Sequence, residues 1–436
     1  MRSFPTIVLG VLAAFAAPAT SALTFNVDSE VDVPDLSPGD GVCATFLSQC
    51  TLRAAVQEAN AHAGADTILL TTGQHYTLTR EGTDDDALNG DLDITDNVQI
   101  GAESGGERPV VDGNSIDRVF DVLSGSANLS GFDIVGGNAT TSPTLSGGGI
   151  FVHAGAGTVA LLNMRLYVND ASQGGGLYNA GTDTRIVNSE FHDNEFIGDI
   201  DETPSGSAIL NRGSLSIDHS SFYRNSGFTL LGATSPANTI DSEPTTTLAG
   251  SVTIINSTLV SNLGSAIVMR GNGGSLTLLN TTVAGNTIHG LYLINVDDMP
   301  VSLRMRNTVI AKNALADCFF FVPDNIDAHT DRYNMDSDLT CGLASGSTNF
   351  PGVEPYLTPL GYYGGSTQVS WPLSISPMID MGDAVIGGGG TVGCEEDDQQ
   401  YHDRPVDFDG DGISLCDIGA VEMSDDVIFF DPFDRL

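Results

Sequence analysis

From about residue 125 to 315 the chain repeats one template, Φ-x-Φ-x-N-x-x-Φ-x-x-N, in which Φ is mostly apolar. The cleanest copy runs from Val252 through Ile254, Asn256 and Leu259 to Asn262. Others span Val159 to Asn169, Thr184 to Asn194, Leu276 to Asn286 and Leu303 to Asn313. Two weaker copies carry His219 in the first Asn slot (Leu215 to Asn225) or Gly in both slots (Ala127 to Gly137). The first slot therefore falls at 131, 163, 188, 219, 256, 280 and 307. Alternation of period two predicts a short strand with one face inward. Asn tolerates the left-handed conformation, so the Asn slots are expected where the chain turns. Asn stacked on Asn in successive coils can form a side-chain ladder. A β-sandwich gives no reason for an Asn at a fixed place in each unit, whereas a stack of similar coils does. The expected fold is all-β: a right-handed parallel β-helix, with a short N-terminal capping helix and a C-terminal cap.

Composition narrows the partners. The 436 residues hold 56 Asp+Glu against 16 Lys+Arg, a net charge of −40, and Lys312 is the only lysine. Nucleic acid is excluded as a partner, because phosphate binding needs a cationic surface. Anionic membrane surfaces are disfavoured for the same reason. Residues 1–22 read as an export signal: Arg2, an apolar run from Ile7 to Ala17, then Thr20-Ser21-Ala22 before the cleavage point. That run is too short to span a bilayer, and no transmembrane helix is expected elsewhere. A secreted or cell-surface monomer is the resulting expectation. The remaining boundaries are 23–93 for an N-terminal cap and first strands, 94–345 for the repeats, 346–422 for a C-terminal cap and 423–436 for a tail.

Six cysteines suit an oxidising compartment. They allow fifteen pairings, but fall in three sequence-local couples, Cys43/Cys50, Cys318/Cys341 and Cys394/Cys416. The open end of a solenoid must be covered. Leu52, Ala55, Val56 and Ala59 lie on one helical face behind Thr51 as N-cap, which makes this segment the N-terminal plug.

Cys50-Thr-Leu-Arg-Ala-Ala55, with Gln57-Glu-Ala-Asn60 and Gly64-Ala-Asp-Thr-Ile68, resembles the N-terminal segment of secreted bacterial β-helix proteins of the CSLREA type. Gly90-Asp-Leu-Asp-Ile94 and Asp117-Arg-Val-Phe120 fit the same pattern. Residues 360–367, 376–382 and 404–422 are similar to the C-terminal region of choice-of-anchor Q proteins. The resemblance departs at Thr51 and Ala54, where the name-giving motif has Ser and Glu. It implies a pectin-lyase-like β-helix, export and often surface attachment, and no settled activity. The aromatic, acidic tail Val427 to Asp434 is read as a docked or frayed end.

Candidate chemistry is sparse, and no catalytic residue is assigned. Ile217-Asp218-His219 resembles an Asp-His element of pectate lyases, but His219 sits in an Asn slot and the arginine-rich partner motif is absent. Thr287-Ile-His289-Gly290 echoes a His-Gly element of polygalacturonases without their paired aspartates, and reads as a turn. Asp84-Asp85-Asp86, Asp91/Asp93, Asp199/Asp201/Glu202 and Asp297/Asp298 read as solvated charges, with Asp91 and Asp93 facing out around Leu92. Asp407-x-Asp409-x-Asp411-Gly412 has the spacing of a Ca²⁺ loop, with Asp417 or Glu422 to complete the shell of a structural ion. The insertions 138–146, 195–205 and 226–250 all follow the second Asn slot, so coil stacking brings them to one side as the binding face. Two functions follow: a non-catalytic, adhesin-like protein binding an extracellular glycan or cell-surface ligand, or a polysaccharide lyase or glycoside hydrolase.

Overall fold

A computed structural model describes residues 21–140, 142–198, 205–229, 238–243, 250–271, 273–294, 300–321, 326–330, 332–344, 348–383, 393–408 and 410–424. The chain winds as a right-handed parallel β-helix. Among the described residues, three long parallel sheets of eleven, nine and ten strands form its sides, and a minor three-stranded sheet lies at one corner. Each coil contributes one strand to each long side, so partners in a sheet are one coil apart in sequence. Val252, Leu276 and Leu303 stack in one inward column, and Ile254, Leu278 and Met305 in the next. All six are at most 1% exposed. This is the apolar column that the repeat demands.

The two Asn slots do different jobs. Every first-slot residue, from Gly131 through Asn163, Asn188, His219, Asn256 and Asn280 to Asn307, has a positive φ of 43–77°. In the second slot the left-handed residue is instead the one before it: Val168, Asp193, Arg224, Ser261 and Lys312 have φ of 53–60°. The second-slot Asn is thereby freed to point inward and build the ladder. Asn169, Asn194, Asn225, Asn262, Asn286 and Asn313 are linked Nδ2 to Oδ1 at 2.9–3.0 Å. Each Oδ1 from Asn194 on also accepts the backbone N–H of the Asn one coil earlier, as Asn262 does from Asn225 at 3.1 Å, and that of Asn169 accepts the Gly137 N–H at 3.0 Å. Asn313 passes the ladder to Asp317 at 3.1 Å. Glycine runs follow this turn because the backbones nearly touch there. A Cβ on Gly148 would lie 2.4 Å from the Asp170 carbonyl, and one on Gly175 the same distance from that of Glu195.

The N-terminal plug is the helix Leu52–Ala61, whose N-cap Thr51 accepts the Ala54 N–H. Its polar side is buried too. Arg53 is 1% exposed and donates to the carbonyls of Ala87, Gly90 and Asp91, while Glu58 accepts the N–H groups of Gly39 and Gly41. Cys43–Cys50, Cys318–Cys341 and Cys394–Cys416 are disulfide-bonded.

At the other end, the C-terminal segment runs back along the outer face of the ten-stranded sheet. One outward column there is Glu190, Ser221, Thr258, Thr282, Val309. Tyr362 and Gln368 donate to Glu190, Gln399 bonds Ser221 and Thr258, and the Ala420 N–H donates to Thr282. Val309 and Met335 close into a small core with Met378 and Ile418.

Candidate functional site

With the ten-stranded side covered, two outer faces remain. That of the eleven-stranded sheet carries short polar side chains with scattered charges: Ser251, Ser275 and Ser302 in one column, Thr253, Thr277 and Arg304 in the next, and an exposed Asp183–Arg185 pair at 2.9 Å. The nine-stranded sheet is different. Its outward column reads, coil by coil, Asp93, Asp121, Phe151, Tyr178, Leu210, Asp241, Val268, Tyr292, Phe319. At ~4.8 Å per strand these nine positions span roughly 40 Å. The described parts of insertions 138–146 and 195–205 lead from the ten-stranded to the nine-stranded sheet and so border this face, while 226–250 contains a strand of the nine-stranded sheet itself, Asn238–Ser242.

Three groups of side chains divide the face. In its middle, Phe151 and Tyr178 pack with ring centroids 4.5 Å apart, and Arg118 and Arg212 lie over their rings at 5.2 and 5.5 Å. Beyond them Arg212 pairs with Glu243 at 3.0 Å, and Arg270 pairs with the fully buried Asp241 at 2.8 Å. Towards the C-terminal end, Tyr292 meets Phe319 edge-on at 5.3 Å, and Phe319 is 43% exposed. His289 joins this group from within the strand His289–Ile294, so the expected turn is a strand. Burial holds its imidazole below the ordinary range.

The third group lies at the N-terminal end and corrects the reading of Asp91 and Asp93 as solvated. Leu92 does face the core, but Asp91 is 5% and Asp93 0% exposed. With Asp121, one coil on, they offer three carboxylate oxygens within 4.8 Å of one another. Arg118 reaches Asp91 at 3.2 Å and Asp121 at 3.0 Å, and His153 Nε2 lies 2.8 Å from Asp121. The 138–146 insertion holds their neighbours: Arg118 donates to Thr144 at 2.8 Å, and Ser142 bonds Asp117. Burial pushes Asp91 up to about 9, helped by the charge of Asp93 and opposed by Arg118. Burial likewise pushes Asp93 up to about 7, against the Ala87 N–H that its Oδ2 accepts. Period-two alternation places these acids on the outside of a strand; their burial comes from Arg118 and Asp121 a coil on and from the loop at Ala87, which alternation does not encode.

The sequence-predicted metal residues lie elsewhere. Asp407 accepts the N–H groups of Gly410 and Gly412, and Asp411 that of Ile413, while Asp409 lies outside the described residues. Asp417 and Glu422 are buried in the C-terminal segment, where their four oxygens accept the N–H groups of Asp380, Met423, Val406 and Asp417. Burial raises both carboxyls, Glu422 to about 7. Among the described residues, Asp91, Asp93 and Asp121 are the group whose oxygens converge. Of the other acids, Asp85 and Asp86 are exposed, and Asp199, Asp201, Glu202, Asp297 and Asp298 lie outside the described residues.

His219 joins two parts of the fold. Its ring stacks on Tyr401 at 4.3 Å, with Nδ1 2.7 Å from Asp218 and Nε2 3.3 Å from Asp397. Burial disfavours its charged form, but the Asp218 contact and the charges of Asp218 and Asp397 outweigh burial and raise its pKa. It fastens the C-terminal segment to the solenoid.

No protein-family model and no curated protein sequence matches the chain. Among solved structures it is similar to the pectate lyase Pel9A, at 15% identity and a TM-score of 0.48, covering 93% of this chain and 97% of that one. It is also similar to a rhamnogalacturonan lyase at 13% identity and a TM-score of 0.44, covering 78% of this chain and 91% of that one. Among the described residues no helix is long and apolar enough to cross a membrane.

Proposed function

We propose that this is an exported β-helix protein of the CSLREA and choice-of-anchor Q type that binds a polymeric glycan along the outer face of its nine-stranded sheet. One observation carries the reading: the accessible part of this face, where the Tyr292–Phe319 rings, Phe319 43% exposed, lie beside the half-buried Arg212, Glu243 and Arg270 charges. Ring faces and edges suit the apolar faces of sugars, and the Arg212, Glu243 and Arg270 groups suit hydroxyls. Three disulfides are consistent with life outside the cytoplasm.

The alternative is turnover of the same glycan by a lyase or hydrolase. In its favour, Asp91 and Asp93 are two carboxyls close together, both raised by burial, Asp91 to about 9 and Asp93 to about 7. Against it, both side chains are closed to anything lying on the sheet. A panel of neutral and acidic polysaccharides, run by affinity electrophoresis and assayed for new reducing ends and unsaturated products, separates the two. Retardation without products is expected, and Tyr292→Ala with Phe319→Ala should weaken it about tenfold, ~1.4 kcal/mol. Robust product formation would replace binding by catalysis, and no retardation by any polymer would end the glycan reading.

A further inference from the structure

We propose that Asp91, Asp93 and Asp121 form a binding site for one hard divalent cation, Ca²⁺ in preference to Mg²⁺, that pins the N-terminal plug to the first coils. Convergence is the first observation. Two oxygens sharing a Ca²⁺ at 2.3–2.6 Å lie at most about 5 Å apart, and the three carboxylate oxygens lie within 4.8 Å of one another. The second is an oxygen without a partner. Asp93 Oδ2 accepts the Ala87 N–H at 2.7 Å, yet Oδ1 has no hydrogen-bond donor in a side chain of zero exposure. Buried carboxylate oxygens without a donor are rare, because nothing replaces the water they lost. Charge is the third: three carboxylates gather where the basic groups are one guanidinium, Arg118, which reaches Asp91 and Asp121, and the His153 imidazole 2.8 Å from Asp121.

The donors are all oxygens on rigid parallel strands, which selects a hard ion over zinc or copper. Mg²⁺ keeps several of its waters, and a site this closed has little space for them. The position also gives the ion a task. Arg53 of the plugging helix donates to the Asp91 carbonyl at 3.1 Å, and Asp121 belongs to the next coil of the nine-stranded sheet. One ion would therefore tie plug, first coil and second coil together. This inference concerns a different ligand from the glycan, and is tested without it.

Calorimetric titration of the full chain with CaCl₂ and MgCl₂ should show a calcium site. Calcium at a hundredfold excess over its dissociation constant should raise the unfolding temperature by about 3 °C or more relative to EDTA. Asp93→Asn and Asp121→Asn should each lose one bound Ca²⁺ and that shift, while Asp407→Asn keeps both. If the wild-type chain takes up no calcium, protons balance the cluster and the proposal fails. It fails equally if both cluster variants keep the shift and Asp407→Asn loses it. Should Asp93→Asn not fold, Asp121→Asn and the wild-type titration still decide.

Discussion

At the scale of single residues, the turns show why a consensus can be read and still be misassigned. Asn280 has φ of 45°, and neither its Oδ1 nor its Nδ2 finds a hydrogen bond. Its value lies in its backbone, which explains why His219 and Gly131 can stand in the same slot. Asn280→Gly should therefore change stability by no more than about 0.5 kcal/mol in chemical denaturation. Val168 is a β-branched residue at φ of 54° and half exposed. Left-handed backbone costs such a residue about 1–2 kcal/mol, so Val168→Gly should stabilise the fold by ~1 kcal/mol, read as a higher denaturation midpoint. That some residue must turn at each slot is legible in the sequence. Which neighbour takes the positive φ is not, because Asn serves equally as turn former and as inward hydrogen bonder.

At the scale of elements, the second-slot ladder behaves as one unit. Asn225 accepts from the side chain and backbone of Asn194, and donates to Asn262 and to the Phe191 carbonyl. Asn225→Ala would leave the buried Asn194 N–H groups without their acceptor and the Phe191 carbonyl and Asn262 Oδ1 without their side-chain donor, at a cost of about 2–4 kcal/mol. The contrast with the near-neutral Asn280→Gly, measured in the same denaturant series, tests the division of labour between the slots. The helix was legible through its cap and apolar face, since Thr51, Leu52, Ala55, Val56 and Ala59 carry local signals. The buried roles of Arg53 and Glu58 were not, because their partners lie 17 to 38 residues away.

At the scale of the molecule, the C-terminal segment governs which side of the solenoid is open. His219 holds that segment most tightly when protonated, between Asp218 and Asp397 and against Tyr401. Since its folded pKa is raised, its contribution is complete below the unfolded value near 6.5 and is lost as pH rises through the folded value. Trp371, the sole tryptophan, is fully buried within the same segment. Its emission in mild denaturant should shift red at lower denaturant concentration above that pH than below it, and Asp397→Asn should flatten the difference. The amino-acid sequence by itself determined the repeat, the inward columns and the three cysteine couples. Each of these is written in spacings within one or two coils. Only the tertiary structure decided that one side is covered, that a second presents rings and paired charges, and that Asp91, Asp93 and Asp121 are buried together. Stacking places residues some thirty positions apart within 5 Å, and the Arg118, His153 and Ala87 contacts that enclose these acids follow no period the sequence displays.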